Sequence, residues 1–147
     1  MDENESFEVL ARITDQALAT GQTDAAAPVV ATRIAQLAED CEAGSLVSRD
    51  AVTAAAHCAM RFASATEDGS WVNLLVRLYC RRVELPAAEL VNELYGTLRR
   101  ARGVDWSLFA RYVESLRRRS GSFGPAGRFT TKRLEGLMRF GPELGRP

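Results

Sequence analysis

A chain of 147 residues is of ordinary single-domain size, long enough to bury about two-thirds of its unfolded surface. Its 46% hydrophobic and 26% charged residues are typical of a globular protein and exclude a chain disordered throughout. The formal net charge is zero, which excludes a uniformly basic or acidic polypeptide.

Apolar residues recur at helical spacing along nearly the whole chain, and Ala, Leu, Arg and Glu dominate, so the expected fold class is all-α. Phe7, Leu10, Ile13, Ala17 and Leu18 mark a first helix that stops near Gly21. A second begins at about Thr23 or Asp24 with a narrow seam of Val30, Ile34, Leu37 and Cys41, and Gly44 is placed to close it. Ser48 is a fitting N-cap for a third, and Asp50 lies in its first turn, where a negative charge suits the helix dipole. Val52, Ala55, Ala56, Ala59 and Ala63 then form a small-residue face, which makes this helix the expected centre of the packing.

The turn Glu67 to Ser70 leads into a fourth helix with Trp71, Leu74, Leu75 and Leu78. Pro86 disfavours the helical region for Leu85 and separates the fourth helix from a fifth, which is expected to carry Pro86 in its first turn. That helix has a stripe of Leu90, Val91, Leu94, Tyr95 and Leu98 and stops at Gly103. Asp105 caps a sixth, with Leu108, Phe109, Tyr112, Val113 and Leu116 inward. Residues 121 to 129, GSFGPAGRF, are rich in Gly, Ser and Pro and are expected to form a linker, followed by a short helix from about Thr131 to Phe140. The expected organisation is a helical core of residues 1–120 and a mobile segment of residues 121–147.

Six or seven helices with short turns imply antiparallel hairpins packed as a compact bundle or a short helical solenoid. Trp71 and Trp106, 35 residues apart, are each followed three and seven residues later by apolar residues, a spacing close to a 34-residue helical-hairpin repeat. Leu75 occupies a position where such a repeat needs a small residue, so the spacing reads as coincidence between two amphipathic helices.

The sequence is thin in catalytic chemistry. His57 is the single histidine, and at 100° per residue it falls about 140° from Val52, on the flank of the third helix, where a boundary position is expected. Its neighbour Cys58 points about 100° away, which disfavours the two as a base and nucleophile pair. Cys41, Cys58 and Cys80 form no CxxC pair and read as buried thiols within helices. There is no HExxH and no Glu-x-x-His, and GSFGPAGRFTTK does not fit a phosphate-binding P-loop, so no metal, no cofactor and no enzyme activity are expected. Glu39, Asp40 and Glu42 read as a solvated helix face. The acidic start, Asp2 to Glu5, differs from the basic start of a secretory signal, and no run reaches the roughly 20 apolar residues that span a bilayer, so a cytoplasmic chain without membrane contact is expected.

Charge is the one uneven feature. Residues 1–70 hold 12 acidic against 4 basic residues, whereas residues 71–147 hold 15 basic against 7 acidic. The basic residues cluster as Arg81 and Arg82, as Arg99, Arg100 and Arg102, and as Arg117, Arg118 and Arg119, each at a helix C-terminus where the dipole favours a cation. With the fourth and sixth helices ending together, Arg81, Arg82, Arg117, Arg118 and Arg119 would join Arg128, Lys132, Arg133 and Arg139 in one patch for an acidic protein surface or phosphates. The sequence therefore leads to a non-enzymatic protein-interaction module (an adaptor, chaperone or assembly subunit), with Trp71, Leu75 and Trp106 as further contact candidates. The alternatives are a nucleic-acid-binding regulator and self-association of the acidic half with the basic half of another copy.

Overall fold

The computed structural model describes the backbone of residues 3–80 and 84–144, with side chains over 7–80 and 84–139. Seven α-helices follow one another among the described residues: α1 (Glu3–Thr20), α2 (Thr23–Glu42), α3 (Arg49–Thr66), α4 (Ser70–Cys80), α5 (Ala88–Leu98), α6 (Trp106–Arg118) and α7 (Pro125–Leu144). No strand forms among those residues, and the fold is an all-α bundle.

Local signals act where the sequence places them. Gly44 takes a left-handed φ of 81°, its amide donates to the Cys41 carbonyl at 3.1 Å, and the Ser45 amide donates to Asp40 at 3.0 Å. This pair of bonds satisfies carbonyls that the end of α2 would otherwise leave open. Ser48 Oγ accepts from the Ala51 amide at 3.1 Å and Asp105 Oδ1 accepts from Leu108 at 3.0 Å, so α3 and α6 begin on side-chain caps.

Helix α3 is the hub. Ala51, Val52, Ala55, Ala56, Ala59 and Ala63 are buried, and their small side chains let α1, α2, α4 and α5 all pack against it. Trp71 is 4% exposed and stacks on Phe62 with ring centroids 4.6 Å apart, joining α4 to α3.

The helices are not a row of sequential hairpins. Neither α4 with α5 nor α5 with α6 forms a packed pair among the described residues; α4 lies on α6, and α5 lies on α3 and α7. Helices α4 and α6 run side by side in the same direction. Near their starts the Gly69 amide donates to the Arg102 carbonyl at 2.6 Å and the Arg102 amide donates to Glu67 at 3.0 Å. Past the end of α4, the Glu84 carbonyl accepts from the hydroxyl of Tyr112, which stands midway along α6. This topology is a bundle rather than a solenoid, and Trp71 and Trp106 have unlike surroundings: Trp106 is half-buried and meets Phe109 edge-on at 5.5 Å.

Three boundaries differ from those expected: α5 ends at Leu98 with Arg99 as its C-cap, short of Gly103, and two helix starts are displaced. Helix α5 starts at Ala88 with Ala87 as N-cap, so Pro86 is buried just outside it, where its missing amide costs nothing. Helix α7 starts at Pro125, six residues before Thr131, and spans 20 residues. Proline fits the first helical position, and the hydroxyls of Thr130 and Thr131 bond the carbonyls of Ala126 and Gly127 within the helix. Gly127 also allows a close approach, since a Cβ there would lie 2.9 Å from Leu85 and 2.8 Å from Phe123. Leu134 and Leu137 of α7 are buried in the same hydrophobic core as α1 to α6.

Candidate functional site

The basic residues are only partly brought together. The parallel run of α4 and α6, with α7 turning back from Ser120–Ser122, places Arg117, Arg118, Arg119 and Arg128 at one end of the molecule. Arg99, Arg100 and Arg102 follow α5 at the opposite end, where Arg100 comes within 4.0 Å of Glu67. Arg81 and Arg82 lie outside the described residues.

Several of the clustered cations have local partners. Arg117 and Arg118 both approach Glu114, at 3.8 and 3.6 Å, and such exposed pairs contribute little stability. Arg128 Nη1 donates to the Phe123 carbonyl at 3.0 Å, and the Arg133 guanidinium lies 5.0 Å over the Tyr95 ring, whose hydroxyl donates back to the Arg133 carbonyl at 2.8 Å. Arg128, Lys132 and Arg139 nonetheless share one exposed stripe of α7, and Phe129 beside them is 65% exposed.

Trp71 and Leu75 are corrected as contact candidates, because both are core residues, 4% and 1% exposed. Trp71 fills the α3–α4 seam, where a ring of its size is best used to exclude water. His57 is exposed on the flank of α3. Burial raises the Cys58 thiol above its ordinary pKa against a lowering hydrogen bond with Thr14, and burial likewise raises Cys80. A raised thiol is the reverse of an activated nucleophile. No group of three or more His, Cys, Asp or Glu among the described residues is arranged to hold a metal, and no described helix is long and apolar enough to cross a membrane.

An apolar open surface lies elsewhere, in a groove of about 680 Å³ between α1 and α2. Val9 and Leu10 form one wall, Pro28, Val29 and Thr32 the other, with Arg33 and Gln36 at the polar edge. Val29 is 58% exposed although it is a large aliphatic residue, and Arg33 is held 5.0 Å over the Phe7 ring. Sequence reasoning missed this groove, since it followed the Val30, Ile34 and Leu37 seam that faces the core. The available signal was Val29, an apolar residue about 100° off that seam.

Carboxylates stand beside the groove, along with Arg33 at its edge and Arg12 one turn on from Val9. Glu8 precedes Val9 on α1 and is exposed, while Glu39 and Asp40 follow Gln36 by one turn on α2. Gln36 Nε2 donates to Asp40 Oδ1 at 3.2 Å, which holds that carboxylate on the groove side of the helix. Compared with known proteins, the chain matches no family model, no curated protein and no solved structure.

Proposed function

We propose that this protein is a non-enzymatic helical interaction module whose α1/α2 groove receives an amphipathic segment of another protein, apolar on one side and basic on its flank. The carrying observation is the apolar groove of about 680 Å³ with a half-exposed valine on its wall. An apolar cavity open to water is where burying a partner's side chains gains most, at roughly 25 cal/mol per Å² of apolar surface covered. Glu8, Glu39 and Asp40 beside the groove select the sign of the partner's flank.

A photo-crosslinking amino acid placed at Val29, and in a control at exposed Ser107 on α6, tests this reading in an extract of the source cells. The expected result is adducts at Val29 alone, mapping to segments with apolar periodicity and excess Lys or Arg, and lost on charge reversal of Glu8 and Glu39. Equal or absent labelling at the two positions overturns it.

A second reading, a phosphate-binding surface on α7 for nucleic acid, is favoured by the Arg128, Lys132 and Arg139 stripe with Phe129 exposed beside it. It requires mixed-sequence DNA or RNA to bind with a steep salt dependence, and charge reversal at Arg117, Arg118 and Arg119 to weaken that binding about equally for all sequences. Absence of binding at low salt eliminates it.

A further inference from the structure

A second cavity lies against α3, and it differs in kind from the α1/α2 groove. We infer that this cleft, between α3, the end of α4 and the starts of α5 and α7, binds a small organic anion bearing a phosphate or carboxylate group. Its volume is about 340 Å³, which suits a metabolite-sized molecule and is too small for a macromolecular segment.

Three observations converge on it. Arg49, Thr53 and His57 stand four residues apart on α3, so they form one stripe along the cleft wall, and all three are exposed. Across from them two helices begin. Ala87 is the N-cap of α5 and gives no side-chain hydrogen bond, and α7 begins at Pro125 after Gly124, which has no side chain to offer. Among the described residues the amides of Ala88, Glu89, Ala126 and Gly127, in the first turns of the two helices, donate to no backbone carbonyl. Such amides, together with the positive ends of two helix dipoles, are suited to an anion.

The third observation points to a ligand rather than to water-facing helix ends. Tyr79 lines the same cleft, is 5% exposed, and its hydroxyl has no hydrogen-bond partner among the described residues. It is not sealed in the core either, because no buried side-chain oxygen or nitrogen is left unpaired among them. The hydroxyl therefore opens into the cleft, where the charges of Glu84 and Arg49 both act on it. Burial, and then Glu84, push its pKa up to about 12, so it stays a protonated donor over the physiological range. Glu84 also lines the cleft and has a partner of its own. Its carboxylate repels a second anionic group there, which favours a ligand with one anionic end and a hydrogen-bond donor at the other.

The test is a titration of the whole chain, followed through its backbone amides by NMR, with sodium phosphate, sodium acetate and sodium chloride at matched ionic strength. Saturable shifts at Ala88, Glu89, Ala126 and Gly127 are expected with phosphate or acetate and not with chloride, and the stronger of the two identifies the headgroup. Arg49→Gln should weaken the interaction roughly ten-fold, as loss of a charge-assisted hydrogen bond does. Ala87→Asp places a carboxylate where the anion would sit, and capping by Asp supports the helix, so anion binding should be lost while the melting temperature is maintained or raised. Equal shifts with chloride, no shifts, or undiminished binding in a folded Ala87→Asp protein overturns the inference. None of these outcomes depends on the α1/α2 groove.

Discussion

Tyr79 and Tyr112 show how a single tyrosine with a buried ring ties stability to pH. Burial is the largest cause of the raised pKa at both; Glu84 adds to it at Tyr79, and Tyr79, Cys80 and Glu84 add to it at Tyr112. The neutral phenol is therefore favoured in the folded state, and an unfolded tyrosine ionises near pH 10. A pKa raised on folding gives stability that is full below about pH 10 and is lost above it, for Tyr79 through about pH 12. The expected slope is about 1.4 kcal/mol per pH unit for each tyrosine within that window. Urea unfolding at a series of alkaline pH values checks this, and Tyr79→Phe should leave the shallower slope of Tyr112 alone. Stability that stays level between pH 10 and pH 12 contradicts it. At this scale the sequence is informative where helical angle decides: the flank position of His57 follows from 100° per residue. It is silent on the surroundings of Tyr79, which come from four different helices.

Among elements, Asn73 is the side chain that fixes the parallel start of α4 and α6. Its Nδ2 donates to the Gly103 carbonyl at 3.1 Å and its Oδ1 accepts from the Asp105 amide at 2.7 Å. Gly69 permits the crossing beside it, since a Cβ there would stand 2.6 Å from the Val104 amide nitrogen. Two hydrogen bonds at about 1 kcal/mol each predict that Asn73→Ala lowers the unfolding free energy by roughly 2 kcal/mol. Chemical denaturation measures it, and Asn73→Asp, which keeps the acceptor and loses the donor, should fall between. A loss below about 0.5 kcal/mol in Asn73→Ala means that the clamp is solvated away. Caps and seams were legible because each is written within one turn of sequence: Ser48, Asp105 and Gly44 all act locally. The start of α7 was not, because the glycine that weakens a helix in isolation is the residue that lets Leu85 and Phe123 close on it.

For the whole molecule, the opposed charges of the two halves are partly resolved inside the chain. Arg77 bonds Glu42 through Nε at 3.1 Å, and Arg100 approaches Glu67, each a basic residue of the second half meeting an acid of the first. Partner order was beyond the sequence for a related reason: amphipathic stripes say that a helix has a neighbour, and the crossing at Gly69 decides which one. The same contacts govern the status of α7. Its length, and the burial of Leu134 at 0% and Leu137 at 4%, place its apolar face in the core shared with α1 to α6. A helix docked in that way unfolds with the rest, whereas a mobile appendage melts on its own. Leu134→Ala removes a buried side chain and is expected to cost about 2–5 kcal/mol. In calorimetry that loss should shift one transition whose calorimetric and van't Hoff enthalpies agree. Two transitions, with Leu134→Ala moving only the smaller, would instead make residues 121–147 a separate unit laid against the core, and the cleft at the start of α7 would then open and close with it.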